Sequence, residues 1–186
     1  MRKKKNIKNS GYTLVETLIA ISIFTMSILA LMSVLASGIS NTNYAKQKII
    51  ASYLAQEGIE FMRNARDDYM LYGNSWNNFK IAINKCGTPG NPKNCYFDDQ
   101  TLDFSNPDMP ITDNLIKSCG GGINDPSPHL LYDSNTGKYN YNFSGTDLGF
   151  VRTISVTYPG DSSDAVKISS TVSWIQGSGN YSITFR

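Results

Sequence analysis

Histidine, cysteine and charge are all scarce in this chain of 186 residues, and each shortage closes off a class of function. The single histidine, His129, stands between Pro128 and Leu130, and no Gly-x-Ser-x-Gly or comparable nucleophile signature accompanies it. A catalytic triad needs a base held against a nucleophile and oriented by an acid. Hydrolytic chemistry of that kind is therefore set aside, and His129 reads as a solvated loop residue. The three cysteines, Cys86, Cys95 and Cys119, are spaced unlike any common zinc pattern, with or without His129. Only 17% of the residues are charged, and none lies between Glu16 and Lys46. Beyond the first eleven residues the lysines are scattered. A nucleic-acid interface needs a basic stripe to meet phosphates, so nucleic acid is disfavoured as a partner. No proline interrupts residues 12–66.

What is present is concentrated at the start. Arg2, Lys3, Lys4, Lys5 and Lys8 form a basic leader without acidic residues. The run Gly11-Tyr12-Thr13-Leu14-Val15-Glu16 follows and opens an apolar stretch that lasts to Ile39. As a helix, residues 12–39 reach roughly 42 Å, enough to cross a hydrocarbon core of about 30 Å. The basic leader places the N-terminus in the cytoplasm and sends the rest outward. A secretory signal peptide would have a shorter apolar region, about 7–15 residues, with its small-residue cut site after it. Here the small residue, Gly11, comes first. Glu16 is the costly feature, because an ionisable group inside a membrane span is functional by default.

Leader, glycine, aromatic residue and glutamate at this spacing resemble the N-terminal signal of type IV pilin-like precursors. The resemblance covers residues 1 to about 40. It implies that a membrane prepilin peptidase cuts after Gly11, that Tyr12 becomes an N-methylated terminus, and that Glu16 serves assembly by meeting the amine of a neighbouring subunit. Tyr12 departs from the phenylalanine usual in that family but keeps an aromatic ring. The partners implied are the peptidase, sibling pilins, the inner-membrane assembly platform, and membrane lipid before assembly. The implied location is the cytoplasmic membrane, single-pass, then an extracellular fibre. Removing residues 1–11 takes five of the 17 basic residues and turns the formal charge from +2 to −3, before the new amine is counted.

The helical signal continues past the membrane. Ala45, Ile49, Ile50, Tyr53, Leu54, Phe61, Met62 and Ala65 recur at helical spacing, so one spine helix is expected from Tyr12 to Arg66, with 12–39 in membrane or filament core and 40–68 as its outer half. Gly38 and Gly58 are its weak points, each costing about 1 kcal/mol against alanine. Leu54–Glu60 with Arg63–Asp67 is similar to a recurrent stretch in minor pilins of the V type. Glu57, Glu60 and Arg63 read as a solvated charged face. Residues 69–147 form a variable, loop-rich region holding six of the seven prolines, with a short helix at Trp76–Asn84 and a strand at Tyr139–Phe143. Residues 148–186 supply strands at Phe150–Tyr158, Ala165–Ile175 and Tyr181–Phe185. The fold expected is α+β, a long spine helix packed against a C-terminal antiparallel meander.

Three smaller features remain. Cys86 and Cys95 enclose a short loop with Pro89-Gly90 and Pro92, which favours a disulfide between them, although three cysteines allow three pairings. Asp133 and Asn135, in Asp133-Ser134-Asn135-Thr136-Gly137, are candidate calcium ligands, as is the acidic group Asp98, Asp99, Asp103 and Asp108. Turn chemistry alone explains both, so no cofactor is assigned. Tyr132, Tyr139 and Tyr141 could meet sugars, but a strand with its aromatic face inward is favoured. The reading is a non-enzymatic, structural minor pilin. Its alternatives are a pseudopilin of a type II secretion or competence (DNA-uptake) system, and a signal-anchored surface protein with an independent binding head.

Overall fold

The computed structural model describes residues 11–71, 75–97, 116–119, 129–141, 145–161 and 165–186. Residues 1–10 of the leader lie outside them, as do Asp98, Asp99, Asp103 and Asp108. The chain divides into two compact units, Met1–Ala45 and Lys46–Arg186. Helix α1, Leu14–Leu71, is 58 residues long and contributes to both. It starts two residues later and ends five later than the sequence suggests. It passes unbroken through Gly38, whose carbonyl accepts from Thr42 Oγ1 at 2.9 Å. In the first unit every described side chain up to Asn43 is exposed. Among the described residues α1 is one helix long and apolar enough to cross a membrane.

In the second unit α1 buries Ala51, Leu54, Ala55, Gly58, Phe61, Met62, Ala65 and Tyr69, a stripe at i, i+3, i+4 spacing. Ile49 and Tyr53, expected on that stripe, are instead exposed. Apolar residues occupy more than one side of the helix here, so periodicity alone misplaces the contact face. Small residues decide it, because Ala51, Ala55 and Gly58 let the backbone come close to the sheet. A Cβ on Gly58 would overlap Ser170 Oγ and stand 3.1 Å from Ile154 Cδ1. Gly58 is thus a point of close approach and not a weak point.

Helix α2, Trp76–Ala82, is capped by Ser75, whose side chain accepts from Asn78 N at 3.3 Å. It ends before Asn84, where a short 3-10 turn, Asn84–Cys86, takes over. Two strands, β1 (Gly87–Thr88) and β2 (Asn91–Pro92), pair as a small hairpin. The main sheet has seven antiparallel strands: β3 (Asn94–Phe97), β4 (Ile116–Ser118), β5 (His129–Asp133), β6 (Lys138–Asn140), β7 (Thr146–Thr157), β8 (Lys167–Gln176) and β9 (Gly179–Phe185). The meander β7-β8-β9 is as expected in kind. β7 starts earlier than predicted: Thr146–Gly149 hold one β-branched residue and so give little strand signal, but Thr146 and Asp147 pair with β5 beyond a bulge at Leu130/Leu131. The boundary placed at residue 148 therefore falls inside a strand. β7 is the centre of the sheet, pairing with β8 as well as with β5 at its start and β3 near its end.

The region read as variable and loop-rich is in part core. Tyr69, Phe79, Ile83, Cys86, Cys95, Phe97 and Ile116 from it join Phe61, Met62, Ile154 and Val156 in one buried cluster. Phe61 of α1 stacks on Phe97 of β3 with ring centroids 3.6 Å apart. Cys86 and Cys95 form a disulfide within this cluster, with Cα atoms 4.7 Å apart. The strand predicted at Tyr139–Phe143 is β6, which stops at Asn140, and Phe143 lies outside the described residues.

Candidate functional site

The chain leaves the leader as exposed, non-helical backbone at Gly11, Tyr12 and Thr13. Thr13 then caps α1. Its hydroxyl accepts from Glu16 N at 3.3 Å, and its carbonyl accepts from Thr17 N at 3.2 Å. Thr13-x-x-Glu16 is the spacing of a capping box, a signal the sequence reading passed over. Only half of the box is made among the described residues, since the Glu16 carboxylate accepts no bond from them. As the acidic residue of the first turn, Glu16 gains from the helix dipole by roughly 0.3–1 kcal/mol.

Six hydroxyls of this segment bond to their own helix. Thr17, Ser22, Thr25, Ser27, Ser37 and Thr42 each donate to a carbonyl three or four residues earlier, at 2.8–3.0 Å. Internal satisfaction of hydroxyls is what a helix in lipid requires. Around Glu16 lie Tyr12, Leu14, Val15, Ile19 and Ala20, all exposed. A carboxylate on such a surface recruits a cation once water is removed, because an unpaired charge in hydrocarbon is costly.

The head carries a second cluster of charge. Arg152 in β7 is 1% exposed, and its Nη1 donates to Glu57 Oε2 at 2.7 Å and to the Leu54 carbonyl at 3.4 Å. Its Nε donates to Tyr141 Oη at 3.3 Å, and its guanidinium lies 4.4 Å from the Phe97 ring centroid. Burial raises the Tyr141 hydroxyl above its usual pKa against the pull of the Arg152 charge. Glu57 is therefore a tether between α1 and the sheet, while its own side chain stays on the exposed face expected of it. The Glu60–Arg63 pair at 3.5 Å is solvated as expected. Arg152 was missed because a lone arginine in a strand pattern gives no hint of its partner 95 residues earlier.

The remaining candidates resolve as follows. His129 opens β5 instead of a loop, and its Nδ1 lies 3.1 Å from Asp147 Oδ2. Asp133 Oδ1 accepts from Asn135 N at 2.8 Å and Oδ2 accepts from Thr136 Oγ1 at 2.9 Å, a hydrogen-bonded turn. The Asn135 amide and then the Thr136 hydroxyl hold the Asp133 carboxyl below its usual pKa. Among the described residues no three His, Cys, Asp or Glu side chains are grouped as metal ligands. Cys86 and Cys95, being oxidised to a disulfide, have no thiolate to offer a metal. Tyr139 meets Tyr132 at 5.2 Å and Phe150 edge-on at 6.0 Å, so it packs on the core. In comparison with known proteins, no family, curated protein or solved structure matches this chain.

Proposed function

We propose that this chain is the precursor of a minor type IV pilin, an assembling subunit and not an enzyme. One observation carries the reading: Glu16 is the one charged residue between Lys8 and Lys46, it lies in the first turn of an exposed apolar helix, and its carboxylate accepts no bond from the described residues. It stands five residues after Gly11, in the first turn of the helix. Cleavage at Gly11–Tyr12 creates an amine at the opposite problem, a cation at the positive end of a helix dipole. Pairing that amine with Glu16 of the neighbouring subunit answers both. At about 4 Å and an effective dielectric near 20 the pair is worth on the order of 4 kcal/mol before desolvation. Prepilin peptidase would release residues 1–11, Tyr12 would be N-methylated, and sibling pilins and the membrane assembly platform would draw α1 from lipid into a fibre.

Intact-mass measurement of the protein from cells that process other prepilins tests this. The expected mass lacks residues 1–11 and carries one added methyl group. A mass that includes the leader overturns the reading in favour of a signal anchor. In the same cells Glu16→Ala is expected to be cleaved at near-normal level but lost from sheared fibres by at least tenfold. Normal incorporation of that variant would remove the assembly role.

A further inference from the structure

The head exposes its apolar side chains unevenly. Outside α1, four large ones are exposed among the described residues: Ile81, Leu148, Ile175 and Tyr181. Three of the four belong to one end of the sheet, and packing identifies which end. Gly58 lies over Ile154 and Ser170, while Arg152, two residues nearer the start of β7, reaches the Leu54 carbonyl one turn earlier in α1. A helical turn rises about 5.4 Å and two strand residues about 6.8 Å. Followed back in such steps, Phe150 beside Trp174, then Leu148 and the β8–β9 turn, approach Lys46, where α1 enters the unit. This end also carries a row of rings. Tyr132, Tyr139, Phe150, Trp174 and Tyr181 follow one another at centroid distances of 5.2, 6.0, 6.5 and 5.7 Å. The middle of the row is buried, and the tyrosines at its two ends are half-buried or exposed. Lys46 and Lys138 are exposed beside them. The carboxylates here are engaged, Asp147 by His129 and Gly149 N, Asp133 by its own turn.

We propose that this end of the head docks on the lipid headgroups of the membrane that α1 is read to cross. The proposal rests on anchoring by α1 and not on cleavage at Gly11. Chain length names the occupant. The apolar run ends at Ile39, and residues 40–46 lie within α1, so they extend about 10 Å. The headgroups occupy about 5–8 Å on each side of the hydrocarbon core. An anchored chain therefore keeps Lys46, and the apolar residues beside it, next to lipid. The chemistry fits that layer. A tyrosine sets its ring against apolar surface and its hydroxyl in the wet zone, and a lysine stem covers apolar surface while its ammonium meets a phosphate. Leu148 and Ile175 supply apolar area that water would otherwise face. Ile81 is as exposed but belongs to α2, which packs through Phe79 on Tyr69 near the other end of α1.

The test uses the full-length chain in vesicles of phosphatidylethanolamine and phosphatidylglycerol, in a Cys119→Ser background with one added cysteine that carries a fluorophore. Ser178→Cys reports from the β8–β9 turn, Ile81→Cys from the opposite end, and Ile28→Cys from the apolar run. A lipid spin-labelled on its headgroup is expected to quench the fluorophore at position 178 at least threefold more than the one at 81, at every protein-to-lipid ratio. Adding Leu148→Glu and Ile175→Glu, both at exposed positions, should lower the signal at 178 to the level of 81 and leave the unfolding transition of the head in place. A lipid spin-labelled deep in its acyl chain should quench at position 28 with or without the glutamates. Quenching at 28 with no excess at 178 overturns the docking and leaves the anchor standing, whereas no quenching at 28 overturns both. An excess at 178 that survives the two glutamates also overturns the proposal. So does one that vanishes as the protein is diluted in lipid, which would assign the surface to a second copy.

Discussion

Arg152 holds its charge at 1% exposure, where an ion is tolerated only with partners on every side. It has a carboxylate, a carbonyl, a phenol and the Phe97 ring. Glu57 is the partner that matters for charge, although its side chain is 44% exposed and water can replace part of what it supplies. Glu57→Gln is expected to destabilise the head by about 1–3 kcal/mol, since the buried guanidinium loses its counter-charge. Adding Arg152→Met removes the buried charge itself and keeps most of the packing volume. The double variant should therefore be more stable than Glu57→Gln alone in a urea titration. If it is less stable, the guanidinium contributes more through its ring contacts and hydrogen bonds than through charge. At the same scale, Thr13 satisfies the helix backbone at Glu16 N, and the Glu16 carboxylate accepts no bond from the described residues.

Among the elements, α1 presents two kinds of surface along one sequence. Up to Asn43 its side chains are exposed, and from Ala51 on it buries a narrow stripe against β-strands. Gly58 sets the depth of that contact. Gly58→Leu is expected to cost about 1–3 kcal/mol by overpacking against Ser170 and Ile154, despite leucine's better helix propensity. An unchanged unfolding midpoint would mean that the helix can move off the sheet without penalty. The long helix, the meander β7-β8-β9 and the leader-to-glutamate pattern could be read from the chain because each depends on local periodicity or fixed spacing. The three short strands β3 to β5 could not. They have three to five residues each and are held by partners far along the chain, as Cys95 is by Ile154 and Leu130 by Phe150. The Glu57–Arg152 contact failed to show for the same reason, whereas His129 was misplaced because its neighbouring Pro128 suggested a loop.

For the molecule as a whole, compartment and stability are linked through the one disulfide. Cys86 and Cys95 are 0% and 1% exposed within the core cluster, so the bond forms inside the part of the head that α1, α2 and β3 share. Disulfides persist in oxidising compartments and are rare in reducing ones. A positive leader that kept its end of the chain in the cytoplasm, as proposed, would deliver the head to the oxidising side. Closing a loop of nine residues' separation is worth about 2–3 kcal/mol by the chain-entropy estimate. For a unit of this size that corresponds to roughly 5–10 °C in Tm. Replacing both cysteines by alanine in the full chain, with Cys119 retained, should lower the head's thermal midpoint by that amount. The wild-type chain made in a reducing cytoplasm should unfold at the lower temperature too, and regain the difference on oxidation. If oxidation leaves the midpoint unchanged while Cys86 and Cys95 demonstrably pair, the core alone sets the head's stability and the bond serves only to shape the loop between them.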